Sequence, residues 1–140
     1  MTCLPDVNVW IALAVGEHVH NGAARDWLDA IDGHVVFCRV TQMGLLRLLT
    51  NPRVLGADVF SPIQAWTAFD RFMADHRISW IEEPVGIDHH WRASTIIEKQ
   101  GSSWWTDTYL AAFVAAAGFT LVTFDTRLAA RRNVTSHLLR

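Results

Sequence analysis

The sequence predicts a single α/β domain over residues 1–140, with a mainly parallel twisted sheet of four to five strands flanked by helices on both faces. Short β-branched and aromatic stretches alternate with longer stretches of helical spacing, the order in which helices carry a chain between parallel strands. A composition of 51% hydrophobic and 19% charged residues supplies one core and excludes a disordered chain. Asp6, Asp107 and Asp125 each stand alone where an apolar segment meets a helix start. In open α/β sheets the functional crevice lies at the carboxyl ends of the strands, so these aspartates point to one edge of the domain.

Residues 2–4 read as a short strand ending at Asp6, with Pro5 tolerable only at the strand's last position because it lacks a backbone donor. A helix over 7–15 follows directly. Residues 18–31 carry Ala23, Ala24, Trp27, Leu28 and Ile31 at helical spacing, and Gly33 ends that helix before a β-branched strand over 34–38. Thr41 can cap a helix through Met43, Leu45, Leu46, Leu48 and Leu49 that Asn51-Pro52 stops. After a loop with Gly56 and Asp58, Ser61-Pro62 is a cap-plus-proline start for a helix to about residue 75. A third strand is expected over 78–82 and a helix over 88–99, which places Lys99 within a helix ended by Gly101. Thr106 can cap a helix over 107–117. A fourth strand spans 120–124, a short helix 126–130, and a last edge strand 134–139.

Net charge is −2, which argues against non-specific wrapping of duplex DNA but leaves room for a compact nucleic-acid site. Lys99 is the only lysine among the 12 basic residues, a skew that suits phosphate forks and also follows from genome composition. Two cysteines, Cys3 and Cys38, are too few for a disulfide framework or a zinc site and read as buried, inert thiols. No basic region precedes the first apolar stretch, so a signal peptide is not expected. The longest uncharged run, 108–124, falls short of the ~18–20 residues of a membrane span and is divided by Gly118. The expectation is a soluble cytoplasmic protein.

Each aspartate taken singly can be a helix cap or a first-turn acid. Together they suit Mg²⁺ or Mn²⁺, which takes hard oxygen ligands and keeps water positions open for a substrate phosphate. A phospho-accepting receiver domain also gathers aspartates at strand ends, but it needs a lysine at a later strand end. Aspartate-nucleophile phosphatases need Asp-x-Asp after the first strand, where this chain has Asn8.

Asp-Val-Asn-Val at 6–9 after a short strand, Thr-Gln-Met-Gly-Leu-Leu-Arg-Leu-Leu-Thr-Asn-Pro at 41–52, Thr-Asp-Thr-Tyr-Leu-Ala-Ala at 106–112 and Leu-Val-Thr-Phe-Asp at 121–125 occur in this order and spacing. Together they resemble the PIN-domain ribonucleases, and within them the VapC-type toxins of bacterial toxin–antitoxin modules, over nearly the whole chain. The resemblance implies a PIN-like domain and a Mg²⁺- or Mn²⁺-dependent endoribonuclease that arrests growth by cutting structured RNA such as tRNA or rRNA. It also implies a homodimer and a cognate VapB-type antitoxin whose C-terminal segment occupies the groove. Asp6, Asp107 and Asp125 match the acidic metal site, and Asn8 and Thr106 match positions that hydrogen-bond around it. Gln42 departs from the pattern: many members place a glutamate there. It keeps the ability to position a water while removing one negative charge. The alternative is a weakened PIN-fold protein that binds RNA or antitoxin without cleavage.

Arg47, one residue past a full turn from Gln42, reads either as a phosphate contact or as a solvated arginine. Arg127, Arg131 and Arg132 follow Asp125 closely and are candidates for RNA backbone or an acidic antitoxin tail, Arg132 reading more simply as a solvated helix end. Trp105, beside Trp104 and just before Thr106-Asp107, is a candidate base-stacking residue, whereas Trp10 and Trp27 read as core. His18, His20, His89 and His90 lack the carboxylate pattern of a zinc site and read as surface residues.

Overall fold

Strands β1 (Thr2–Pro5), β2 (His34–Phe37), β3 (Ile78–Trp80), β4 (Thr120–Thr123) and β5 (Ser136–Leu138) form one fully parallel sheet in the order β3-β2-β1-β4-β5. The computed structural model describes residues 1–96 and 101–140. From β1 the chain runs outward to β3, then returns to β4 on the other side of β1. The strand order therefore reverses between β1 and β4, and the carboxyl ends of those two strands carry Asp6 and Asp125. A crevice at such a switch point is where open α/β sheets bind ligands. Pro5 is the last residue of its strand and lies in register with Val122; the next donor, Asp6 N–H, takes the Val122 carbonyl at 2.9 Å.

Side chains of alternate strand residues point to opposite faces, and each face has its own core. Cys3, Val35, Phe37 and Val122 pack under α1 (Val7–Ala14), α2 (Asn21–Ala30), α3 (Arg39–Leu49) and α5 (Pro62–Ala74), with Trp10 stacked on Phe37 at 3.6 Å between ring centroids. Leu4, Val36 and Leu121 pack under α6 (Ile87–Thr95), α7 (Trp104–Ala117) and α8 (Thr126–Ala129), with Phe113 fully buried at the centre. Trp10 and Trp27 are core residues, and both cysteines are buried free thiols, as expected. No helix among the described residues is long and apolar enough to cross a membrane.

The strand and helix order matches expectation, with two short additions: α4 (Pro52–Leu55), which Asn51 caps by accepting from Arg53 N–H at 3.0 Å, and a 3-10 turn over Gly56–Asp58 within the expected loop. Helix starts differ in informative ways. α3 begins at Arg39 after Cys38, so Thr41 is not its N-cap; the Thr41 hydroxyl lies inside the first turn, donating to Cys38 O and accepting from Cys38 N–H, both at 3.1 Å. α7 begins at Trp104 after Ser103 rather than at a Thr106 cap, because the Trp104 indole is buried and holds an extra turn in place. α2 begins at Asn21, since His18 Nδ1 accepts from His20 N–H at 3.0 Å and closes a turn there. The strands at 34–38, 78–82 and 134–139 are shorter than expected. The helix expected over 88–99 is seen as Ile87–Thr95; Lys99, expected within it, lies outside the described residues.

α1 and α3 both start at the carboxyl edge and pack closely through Gly44. A Cβ at that position would lie 2.5 Å from Val7 Cγ2. Gly44→Ala is therefore expected to destabilise the fold by about 1–3 kcal/mol, read as a lower urea midpoint, because overpacking outweighs the gain in helix propensity.

Candidate active site

Asp6 caps α1, its Oδ1 accepting from Val9 N–H at 3.1 Å. It is only 5% exposed, so its carboxylate has lost most of its hydration. Its other oxygen accepts a hydrogen bond from the hydroxyl of Thr123, the last residue of β4. Burial is the largest influence on Asp6 and pushes its pKa from 3.8 up to about 6, against the Thr123 and Val9 hydrogen bonds; the nearby Asp107 charge adds to the rise. Thr123 works in two directions. While donating to Asp6 it accepts from the backbone N–H of Asp125 at 2.9 Å, so one buried hydroxyl ties the ends of β1 and β4 together. Asp125 then caps α8, accepting from Arg127 N–H at 2.8 Å and Leu128 N–H at 3.2 Å through a single oxygen, Oδ1.

Asp107 projects from the fourth position of α7, where Ser103 donates to its Oδ2 at 2.9 Å. Its pKa is raised, first by burial and then by the Asp125 charge, with Ser103 and the Arg131 guanidinium opposing. Repulsion thus runs from Asp6 to Asp107 and from Asp107 to Asp125, which places the three carboxylates at one edge of the sheet. Asp107 and Asp125 line an open groove of about 930 Å³ that Arg127, Arg131 and Arg132 also line. Asp6 is not among the residues lining it; it sits behind, at the β1 end.

The chain matches the PIN domain family over residues 3–133. It is 47% identical over 129 residues to Ribonuclease VapC41 of Mycobacterium tuberculosis, covering 88% of each chain. This chain is a PIN-domain protein of the VapC family. It is also 36% identical to Ribonuclease VapC29 of the same organism over 132 residues, 92% of this chain and 90% of the relative. Among solved structures, VapBC2 from Rickettsia felis bound to a DNA fragment from its promoter shares the fold with a TM-score of 0.74 at 13% identity, covering all of both chains. Mycobacterium tuberculosis VapC20, described as a Sarcin-Ricin loop cleaving toxin, does so with a TM-score of 0.68 at 15% identity, over 91% of this chain and 93% of that one.

In this PIN domain no three His, Cys, Asp or Glu side chains among the described residues gather tightly enough to hold a metal ion by themselves. The donors at the groove nevertheless suit Mg²⁺ or Mn²⁺. Such an ion is commonly held by one or two carboxylates, the rest of its octahedron being water and substrate phosphate. Two carboxylates in a polar groove, one of them with its pKa raised in part by the charge of the other, match that demand, and a three-carboxylate cage is not required.

Other residues singled out in the sequence fall at varied distances from this PIN-domain groove. Arg127 lines it, as do Arg131 and Arg132. Gln42 is 6% exposed on the first turn of α3, its Oε1 accepting from Arg39 Nη1 at 2.6 Å. The exposed Asn8 offers Asp6 its backbone N–H rather than its side chain. Thr106 lies one residue before Asp107, partly buried within the first turn of α7. Arg47 sits in the last turn of α3, one residue past a full turn from Gln42, and does not line the groove; the helix carries it away from the carboxyl edge. Trp105 is exposed but lies outside the lining, edge-on to Trp91 and Trp104, while Trp104 lines the wall instead. Sequence reasoning missed Thr123; His89 and His90 are exposed, as expected, and also line the groove.

Proposed function

We propose that this chain is the toxin of a VapBC-type toxin–antitoxin module, a Mg²⁺- or Mn²⁺-dependent endoribonuclease that cuts structured cellular RNA such as tRNA or rRNA. The observation that supports it most is the pair of mutually repelling carboxylates, Asp107 and Asp125, facing a groove edged by Arg127, Arg131 and Arg132. Acidic and basic groups lining one groove suit an anion that arrives together with a cation.

Asp107 and Asp125 would hold the ion, with Asp6 behind them as a third carboxylate. When bound, the metal supplies a water of lowered pKa and a positive centre for the charge that grows on phosphorus oxygens. Thr123 keeps Asp6 and the Asp125 backbone in fixed relation, so the carboxylates do not spread to relieve their repulsion. Asp125 uses Oδ1 for its two backbone donors and leaves Oδ2 for the groove. Ser103 orients Asp107 in the same way through Oδ2 and leaves Oδ1. Arg127, Arg131 and Arg132 would carry the RNA backbone, or the acidic tail of a VapB-type antitoxin when the toxin is held inactive. Gln42 presents its amide N–H₂ as a donor to a water or phosphate, its oxygen being engaged by Arg39. A homodimer and a cytoplasmic location complete the proposal.

Purified chain freed of antitoxin is expected to cleave RNA with Mn²⁺ or Mg²⁺ and to lose at least a hundredfold of that activity in chelator. Gel analysis of RNA fragments, with the ion restored afterwards, checks it. Cleavage indifferent to chelation ends the proposal. RNA binding without cleavage under all ions favours the weakened, non-cutting alternative.

A further inference from the structure

Arg39 and Arg77 are held in opposite ways, and the contrast assigns Arg39 a use. Arg77 donates Nε and Nη2 to the two oxygens of Asp75 at 3.0 and 2.7 Å, and its Nη1 reaches Leu28 O at 2.8 Å. A second carboxylate, Asp29, stands 3.6 Å away. Its charge is spent within the fold. Arg39 is exposed yet equally fixed: Nη1 donates to the buried Gln42 Oε1, and the guanidinium carbon lies 4.8 Å from the centre of the Trp80 ring. Both supports are neutral side chains, the Trp80 indole N–H itself donating to Glu82 at 2.9 Å, and no ion pair involves Arg39 among the described residues. Cation–π contact and an amide oxygen orient a guanidinium without cancelling its charge.

Its position matters as much. Arg39 is the first residue of α3, directly after β2, and Trp80 ends β3 in register with Phe37 of β2. Both stand at the carboxyl edge that carries Asp6 and Asp125. At about 4.8 Å per strand, the ends of β2 and β3 lie one and two strands from β1, roughly the span of one to two nucleotides. The groove arginines, Arg127, Arg131 and Arg132, lie on the opposite side of the carboxylates.

We propose that Arg39, propped by Gln42 and Trp80, is a phosphate-binding residue for the RNA strand on the β2–β3 side of the carboxylates, so that the strand crosses the sheet edge with arginines on both flanks. Gln42 and Trp80 are positioning residues for it. This rests on the RNA reading above.

The test measures the salt dependence of binding to a mixed-sequence single-stranded RNA by fluorescence anisotropy, in chelator, with Asp107→Asn as the parent so that nothing is cut. Arg39→Ala is expected to lower the salt exponent by about 0.7, the value for one phosphate contact on a single strand, and to weaken binding about fivefold at 0.1 M salt. Arg39→Lys should restore the exponent, because it keeps the charge. Gln42→Glu should lower it as Arg39→Ala does, by neutralising the guanidinium in place. Arg53→Ala, in α4 beyond the far end of α3, should leave it at the parental value. An unchanged exponent in Arg39→Ala or in Gln42→Glu overturns the inference. So does an Arg39 dependence seen with an acidic peptide but not with RNA. A parent that binds no RNA overturns the RNA reading as well, whereas an Arg39-dependent exponent in a chain that never cleaves with Mn²⁺ removes only the nuclease proposal.

Discussion

Asp107→Asn is expected to lower RNA cleavage by about three orders of magnitude while raising the melting temperature of the metal-free protein. Losing a carboxylate that binds the ion removes on the order of 4 kcal/mol of transition-state stabilisation, and each 1.36 kcal/mol is tenfold in rate. The stability effect has the opposite sign for a reason visible in the fold. Asp107 has a raised pKa, so its ionised form is disfavoured in the folded chain, chiefly by lost hydration and then by Asp125. Asparagine keeps an oxygen for the Ser103 hydroxyl and carries no charge for Asp125 to repel. A residue retained only as a helix-start acid would behave differently: its replacement would cost stability and leave cleavage intact. Added Mn²⁺ should stabilise the wild type and not the variant, because an ion that binds the native state alone raises its melting temperature. Thermal melts with and without the ion, beside single-turnover cleavage, decide between the two roles. A variant that cleaves at the wild-type rate excludes Asp107 from the chemistry.

The sheet edge was legible in the sequence because Asp6 and Asp125 each end a short apolar strand, a place where a carboxylate has little structural reason to be. Asp107 was legible for a different reason, an acid just inside an alanine-rich helix. The tie between these residues was not. Thr123 reads as an ordinary β-former, and its partner Asp6 is 117 positions away. Only the pairing of β1 with β4 makes one hydroxyl serve both strand ends. Arg39 was hidden likewise: an arginine at a helix start is unremarkable until the β2–β3 register brings Trp80 beneath it. Thr41 and Thr106 looked like caps because threonine often is one. In each case the helix starts earlier: at Arg39, where Thr41 serves from the third helical position by accepting from Cys38 N–H, and at Trp104, whose burial extends the helix backwards. Arg47 shows the limit of counting turns, since spacing along α3 gives its distance from Gln42 but not the end of the sheet it faces.

Stability of the metal-free chain is expected to rise as the pH is lowered from 7.5 to 4.5, the reverse of ordinary acid denaturation. Asp6 keeps its proton up to about pH 6 when folded, while the unfolded chain releases it near 3.8. Between those values the folded state binds the extra proton, so each unit of rising pH removes stability until Asp6 is ionised in both states. A shift of this size corresponds to about 3 kcal/mol at most. Asp107, also raised, works in the same direction. Asp75 does not interfere, because Arg77 holds it down to about 2 and its contribution is lost only as the pH falls from 3.8 through that value. His18, lowered by burial, pulls the other way, so the informative quantity is the difference between wild type and Asp6→Asn. The wild type should show the steeper gain on acidification, and equal slopes in melts across the range would exclude a raised Asp6. Mn²⁺ should invert the order. Its carboxylate ligands must be deprotonated, so the ion's stabilisation grows with pH over the interval in which the metal-free fold weakens. The two raised carboxylates, Asp6 and Asp107, weaken the metal-free fold at neutral pH, and a bound cation would offset that cost.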